Sequence, residues 1–156
     1  MKLFTRRTFS VLIIGVIVML LFMSLLSGKG GKPADPAQLL REPCPGTPNC
    51  ISTMYPEDLN HFMPSLPFKK SLNQSREVII HILENYSGAE IIEQEDTFIY
   101  AQFTIPIFQF IDDVVFYFDQ EVQAIHFRSS SRIGKGDLGV NRRRMKKISQ
   151  RYLDYN

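Results

Sequence analysis

A β-sheet is indicated most strongly by Ile111-Asp-Asp-Val-Val-Phe-Tyr-Phe-Asp119 and by Val122-Gln-Ala-Ile-His-Phe-Arg-Ser129. Both stretches are rich in Ile, Val, Phe and Tyr, which favour strands, and the Gln120-Glu121 between them fits a short hairpin turn. Two further strands are predicted upstream, over residues 89–94 and 97–105. Together these segments predict an antiparallel meander of four strands.

Helices are predicted on both sides of this meander. Ser71-Leu-Asn-Gln74 has the form of a capping box, and apolar residues then recur at helical spacing until Gly88 stops the helix. A last helix is predicted over about residues 140–152, and its apolar side carries Met145, Ile148 and Tyr152. The domain is therefore predicted to be α+β, with an N-terminal and a C-terminal helix packed on one face of a four-stranded antiparallel meander.

The first part of the sequence has the composition of a membrane anchor. Residues 8–27 carry no charge, are mostly aliphatic, and have about the length that a helix needs to span a bilayer core. Lys2, Arg6 and Arg7 precede them, and basic residues on that side place the N-terminus in the cytoplasm. Because Ser24-Leu-Leu-Ser-Gly28 is a poor match to a cleavage site, an uncleaved signal anchor is favoured over a cleaved signal peptide.

This interpretation divides the chain into four parts. They are a cytoplasmic basic tip over residues 1–7, a transmembrane signal anchor over 8–27, a flexible tether over 28–42 and an extracytoplasmic domain over 43–156. The tether begins with a run of Gly and Lys, which is typical of flexible linkers.

The composition limits the function classes. Lys and Arg number 18 against 16 Asp and Glu, and the formal net charge of +2 gives no argument for nucleic acid. Hydrophobic residues make up 44% of the chain, which excludes a fully disordered protein. The 2 Cys residues exclude a four-thiolate metal site, and no metal or cofactor is predicted. A structural disulfide between Cys44 and Cys50 is favoured over a metal or redox role.

Charge is divided between two halves of the domain. Residues 76–127 contain one basic residue and ten acidic ones, namely Glu77, Glu84, Glu90, Glu93, Glu95, Asp96, Asp112, Asp113, Asp119 and Glu121. Residues 128–151 contain one acidic residue and nine basic ones, among which Arg143, Arg144, Lys147 and Arg151 gather on one side of the last helix. Two interpretations stay open: the halves neutralise each other, or the basic half is a surface for anionic ligands or lipid head groups.

Asp112 and Asp113 form a candidate carboxylate pair. Adjacent strand residues point to opposite faces of a sheet, so the two cannot share a substrate proton. A partly buried carboxylate needs hydrogen bonds or a cationic partner, which Arg128 or Arg132 can supply. Structural pairing is therefore favoured over catalysis, and no catalytic residue is assigned.

The last strand and the last helix are joined by Arg128-Ser-Ser-Ser-Arg-Ile-Gly-Lys-Gly-Asp-Leu-Gly-Val-Asn-Arg142. Its glycines can expose backbone N–H groups, and the helix N-terminus behind them favours an anion. The candidate ligand-binding residues are Arg128, Ser129, Ser131, Arg132, Gly134, Asp137, Asn141 and Arg142. The alternative is a loop that caps its own helix, with Asp137 or Asn141 accepting backbone N–H bonds.

Several segments carry a family resemblance. They are Pro48-Asn-Cys-Ile-Ser52, Ile111-Asp-Asp-Val-Val-Phe116, Arg128-Ser-Ser-Ser-Arg-Ile-Gly134, Asp137-Leu-Gly-Val-Asn-Arg142 and Arg144. On these residues the chain resembles the DUF1499 family, a domain of unknown function in bacteria and plant chloroplasts, over roughly residues 43–152. The chain has Ser130 where a small residue such as Ala is expected. The resemblance implies no reaction, substrate or cofactor, but one constellation of Asp112, Asp113, Arg128, Ser131, Arg132, Asp137 and Asn141.

These observations predict a single-pass envelope protein of a bacterial inner membrane, with its N-terminus cytoplasmic and its C-terminal domain periplasmic or extracytoplasmic. We expect a binding or scaffolding module whose Arg/Ser/Gly loop takes an anionic small molecule or a lipid head group. The alternative is an envelope hydrolase acting on an anionic substrate, with Asp112 or Asp113 as general base and Arg128 and Arg132 holding the charge. Enzymatic activity is not assigned, and the protein partner is not identified.

Overall fold

The structure is a computed structural model that describes residues 6–27, 33, 35–105, 110–134 and 136–155. In chain order its elements are α1 (Arg6–Ser27), α2 (Pro36–Arg41), β1 (Cys50–Ser52), β2 (Leu66–Pro67), α3 (Leu72–Glu84), β3 (Ala89–Gln94), β4 (Phe98–Ile105), β5 (Phe110–Asp119), β6 (Ala124–Ser131) and α4 (Val140–Asp154). Most of the predicted tip over 1–7 and residues 28–32 and 34 of the predicted tether lie outside the described residues.

The four predicted strands form the centre of one sheet. β3, β4, β5 and β6 pair antiparallel in chain order, and each begins and ends within two residues of its predicted bounds. The register places Val114 of β5 opposite Ala101 on one side and Ser129 on the other. The predicted meander is therefore present.

Two short strands extend this sheet to six, so the prediction of a four-stranded sheet is wrong. β1 pairs antiparallel with one half of β6, where Cys50 lies opposite Ser130. β2 pairs with the other half, where Leu66 lies opposite Ile125. The physical reason is that β6 would otherwise be an edge strand with open backbone N–H and C=O groups.

The main core lies on one face of the sheet, which we call the core face. Alternate residues of β4, β5 and β6 point into it, and α3 and α4 cover it. Ile99, Phe116 and Phe127 are fully buried there. The predicted capping box opens α3, because the Ser71 hydroxyl accepts a hydrogen bond of 3.1 Å from the backbone N–H of Gln74.

The opposite face, which we call the outer face, carries a smaller core. Phe98, Tyr100 and Val115 pack there against Leu39 of α2. The two predicted helices, α3 and α4, do share the core face, but the prediction of helices on one face missed α2 on the outer face. The sequence gives no periodic signal for α2, because its six residues make fewer than two helical turns.

The predicted transmembrane anchor over residues 8–27 is contradicted. A helix that crosses a bilayer core needs about 20 consecutive apolar residues. Within the part of the chain that the structure describes, no helix is both long enough and apolar enough to do so. The predicted single-pass placement in a bacterial inner membrane, with an extracytoplasmic domain, is contradicted by the same finding.

The predicted disulfide is confirmed. Cys44 and Cys50 are joined by an S–S bond of 2.04 Å that closes the proline-bearing loop in front of β1. Because both thiols are consumed in this bond, neither serves as a metal ligand or a free redox thiol.

Candidate functional site

The sheet separates the residues of the implied constellation onto its two faces. Asp112 and Asp113 are adjacent in β5, so their side chains point in opposite directions. Asp112 lies on the core face, with Ser129 and Ser131 of β6, while Asp113 lies on the outer face. The implied single constellation is therefore two clusters, a core-face cluster around Asp112 and an outer-face cluster around Asp113.

The core-face cluster is built on a buried ion pair. Arg144 of α4 donates from Nη2 to Oδ2 of Asp112 at 2.5 Å, and the two residues are 6% and 0% exposed. Its Nη1 donates to Oδ1 of Asn141 at 2.8 Å, and the ring of Phe103 packs 4.5 Å from the guanidinium carbon. The sequence indicated Arg128 or Arg132 as the partner and not Arg144, because this contact depends on how α4 packs over the sheet.

Asn141 and Asp137 join the loop to the start of α4. The amide nitrogen of Asn141 donates to Oγ of Ser131 at 3.0 Å, and its Oδ1 accepts from Oγ of Ser129 at 2.5 Å. The carboxylate of Asp137 accepts the backbone N–H groups of Gly139 and Asn141, both at 2.7 Å. The loop therefore caps its own helix, and these N–H groups are not available to an anion.

The other candidate ligand-binding residues of the loop also form hydrogen bonds within the domain. Gly134 has a φ of 92°, and its carbonyl oxygen accepts a hydrogen bond of 2.8 Å from Nδ2 of Asn49. Arg142 donates to the carbonyl oxygens of Phe62 at 3.1 Å and Asn60 at 2.5 Å. These contacts fasten the loop and α4 to the segment that follows β1.

The outer-face cluster contains a second ion pair. Arg132 donates from Nη2 to Oδ1 of Asp113 at 2.8 Å and from Nε to Oδ2 at 2.9 Å, so it is the cationic partner expected from the sequence. The hydroxyl of Tyr100 donates to Oδ1 of Asp113 at 2.6 Å and accepts from Gln102 at 2.7 Å. Burial, followed by the hydrogen bond to Asp113, raises the pKa of Tyr100. The hydrogen bond to the same carboxylate raises the pKa of Arg132.

Arg128 differs from the other cations of this region. It is 6% exposed, yet its Nε has no hydrogen-bond partner among the described residues. No ion pair joins it to a carboxylate in the described ranges either. Burial lowers the pKa of Arg128, against the weaker opposing influence of Glu42, Asp113 and Tyr55.

The two aspartates do not have the geometry of general bases. Asp112 is 0% and Asp113 is 7% exposed, and each is held by an arginine. Oδ1 of Asp112 has no hydrogen-bond partner in the part of the chain described, but it is enclosed in the core. Because a general base must reach a proton of its substrate, no observation favours the hydrolase alternative.

A further feature lies on the outward side of α4. A cavity of about 330 Å³ opens between the end of α3, the end of β4 and α4. We call it the basic groove, and its lining includes Tyr86, Phe103, Val140, Arg143, Arg144 and Lys147.

The Tyr86 ring contacts two cations, Lys147 in the lining of the basic groove and Arg151 beside it. Nζ of Lys147 lies 5.5 Å from the centre of the Tyr86 ring, and the guanidinium carbon of Arg151 lies 5.2 Å from it. The Tyr86 ring in turn packs edge-on against Phe103, with 5.3 Å between ring centres. Neither Lys147 nor Arg151 forms an ion pair within the described residues. These cations are therefore positioned without being neutralised.

Comparison with known proteins identifies one family. The family described as a protein of unknown function, DUF1499, matches residues 42–151. No curated protein and no solved structure matches the chain. The matched range contains both clusters and the residues that form the basic groove, and it confirms the resemblance seen in the sequence.

Proposed function

The chain belongs to the DUF1499 family, whose description assigns no activity, and from its own geometry we propose that the domain is a binding module for an anionic ligand. The ligand occupies the basic groove and carries two or more phosphate or carboxylate groups, either as a free small molecule or as a lipid head group. The observation that supports this is that Lys147 and Arg151 are held on the Tyr86 ring without an acidic partner in the described part of the chain.

The charge pattern favours a ligand with more than one anionic group. Arg143, Lys147 and Arg151 follow one another at intervals of four residues along α4 and are all exposed. Four residues of helix rise about 6 Å, so the three charges form a row along one side of the helix. A row of like charges raises the local potential and attracts an anion that can bridge neighbouring cations.

Internal neutralisation accounts for little of this positive charge. Among the described residues, Asp112 and Asp113 pair with arginines of the basic half, through Arg144 and Arg132. Arg144 is buried and Arg132 is half-buried, whereas the exposed cations of α4 form no such pair there. An external anion is therefore the better partner for the basic groove.

Contact of the cations with the Tyr86 ring lowers the conformational entropy that is lost when a ligand binds. A long flexible lysine or arginine side chain loses conformational freedom when it grips a ligand. Contact with the Tyr86 ring restricts Lys147 and Arg151 before the ligand arrives, and the cation–π attraction favours that arrangement.

Titration calorimetry with sodium tripolyphosphate tests the proposal on the full chain. We expect saturable binding that Lys147→Glu/Arg151→Glu weakens by about tenfold or more, because two attractive charges become repulsive. The matched control is Arg41→Glu/Lys70→Glu, which changes the net charge equally at two exposed cations that lie outside α4 and away from the groove. It should change the affinity by less than about twofold, since exposed charges more than a Debye length away are largely screened.

Vesicles distinguish the two sources of the anionic group. Vesicles that contain an anionic phospholipid should bind through the same groove residues if the ligand is a head group, whereas neutral vesicles should not bind. The proposal fails if neither tripolyphosphate nor anionic vesicles bind, or if the control pair weakens binding as much as the groove pair does.

A further inference from the structure

The outer face of the sheet places a buried cation beside apolar residues. In the register of the sheet, Arg128 lies directly opposite Ser52 of β1 and Val115 of β5. It is 6% exposed, and its Nε lacks a hydrogen-bond partner among the described residues. A buried guanidinium without a close partner lowers the stability of a fold, so its presence calls for an explanation other than stability.

A cavity of about 150 Å³ lies on the same face of the sheet, between α2 and the outer face. Its walls are formed by Ala37, Leu40, Arg41, Met54, Phe98, Val115 and Tyr117. Val115 therefore lines the cavity and is also the cross-strand neighbour of Arg128. Directly opposite residues in an antiparallel pair have Cβ atoms about 5 Å apart, so the side chain of Arg128 begins next to one wall of the cavity.

We propose that this region is a second binding site, in which Arg128 pairs with the carboxylate of a short aliphatic acid whose chain fills the cavity under α2. A planar guanidinium matches a carboxylate through two parallel hydrogen bonds, which suits one buried arginine. The walls are apolar apart from Arg41 and the hydroxyl of Tyr117, which suits a hydrocarbon chain with one anionic end, and the small volume limits that chain to a few carbons.

The surrounding charges favour a ligand with a single negative charge. Asp113 and Glu42 both act on Arg128 electrostatically, although neither forms an ion pair with it in the described residues. Their negative charges oppose a dianion such as phosphate more strongly than a monoanion. This site lies on the outer face, whereas the basic groove lies on the side of α4, so the two proposals are independent.

Thermal unfolding of the full chain tests the site, with sodium hexanoate as the probe and hexanol as its uncharged counterpart. Hexanoate should raise the midpoint of the wild type by about 3 °C at ten times its Kd, because it binds the native state. Hexanol should produce a smaller rise. Arg128→Lys keeps the charge but loses the two-pronged geometry, and it should weaken hexanoate binding.

Arg128→Met is the decisive variant. It should abolish the effect of hexanoate and should itself unfold at a higher temperature than the ligand-free wild type, because it removes a buried unpaired charge. Arg132→Met is the contrasting variant, since it breaks the pair with Asp113 and should unfold at a lower temperature.

Three results would overturn the inference: no midpoint shift with hexanoate, an equal shift in Arg128→Met, or a lower midpoint for ligand-free Arg128→Met than for the wild type. Failure here is separable from failure of the basic groove. Arg128→Met should bind tripolyphosphate normally, and Lys147→Glu/Arg151→Glu should respond to hexanoate like the wild type.

Discussion

Arg144 and Asp112 connect the C-terminal helix to the central strand of the sheet through a fully enclosed ion pair. The contact joins residues 32 positions apart in sequence, at 2.5 Å. Arg144 also reaches Asn141 and Ser129, so the pair is part of a hydrogen-bonded network and not an isolated contact. A buried ion pair need not make the fold more stable than apolar residues would at the same positions. Removing only one partner, however, leaves the other charge buried and uncompensated, which strongly destabilises the fold.

The first prediction is that Arg144 and Asp112 are energetically coupled. Asp112→Asn leaves a buried cation uncompensated, and Arg144→Met leaves a buried carboxylate, so each should lower the free energy of unfolding by about 3–5 kcal/mol. The double variant should lose at least about 1 kcal/mol less than the sum of the single losses. Urea unfolding of all four proteins measures the coupling.

Glu121→Gln provides the control for this cycle, because Glu121 is an exposed acid outside the network. It should change the free energy of unfolding by less than about 0.5 kcal/mol. Strictly additive losses in the double variant would show that the two residues do not depend on each other.

The long elements of this fold are predictable because each carries its own local signal. The strands from Ala89 onward are rich in β-branched and aromatic residues, and α3 has both a capping box and a stop. β1, β2 and α2 are too short to carry a periodic signal, and each forms because β6 or the outer face offers it a surface. Composition alone predicted a transmembrane anchor, which the structure contradicts.

Contacts of the candidate site are predictable where they join residues close in sequence or on neighbouring parts of the sheet. The cap by Asp137 involves residues two and four positions away, and the pairing of Asp113 with Arg132 joins β5 to the residue that follows the neighbouring strand β6. The pairing of Asp112 with Arg144 depends on how a helix packs over the sheet. Whether Nε of Arg128 finds a hydrogen-bond partner depends on how all the surrounding elements pack against it, and among the described residues it finds none. Neither can be derived from spacing in the sequence.

The second prediction concerns the cap of α4. Asp137→Ala removes the acceptor of two backbone N–H groups and should lower the free energy of unfolding by about 1–2 kcal/mol. Asp137→Asn retains an acceptor oxygen and should lose clearly less. Urea unfolding compares the two, and equal losses would mean that capping is not what Asp137 contributes.

The third prediction concerns the turn between α3 and β3. Gly88 has a φ of 82°, and a Cβ atom there would lie 2.8 Å from the carbonyl oxygen of Thr104. Gly88→Ala should therefore lower the free energy of unfolding by about 1–3 kcal/mol. Gly46→Ala is the matched control, since nothing lies within 4 Å of the added atom. Its effect in the same unfolding assay should be close to zero, and a similar loss at both glycines would exclude this explanation.

The fourth prediction is a loss of stability in alkaline solution that depends on Tyr152. Burial raises the pKa of Tyr152 above its usual value of 10.0, and its hydroxyl donates to the carbonyl oxygen of Pro67 at 2.9 Å. The folded protein therefore keeps this proton at a pH where the unfolded chain loses it. The free energy of unfolding should consequently fall as the pH rises above about 10, by up to about 1.4 kcal/mol per pH unit for each such phenol.

Tyr152→Phe removes this titration, so its stability should fall less steeply than that of the wild type above pH 10. At pH 8 the variant should be less stable, because the hydrogen bond to Pro67 is lost. Urea unfolding at pH 8, 10 and 11 measures both effects, and a return to pH 8 checks that base has not damaged the disulfide. Parallel pH curves for the two proteins would show that Tyr152 ionises alike in the folded and unfolded chains.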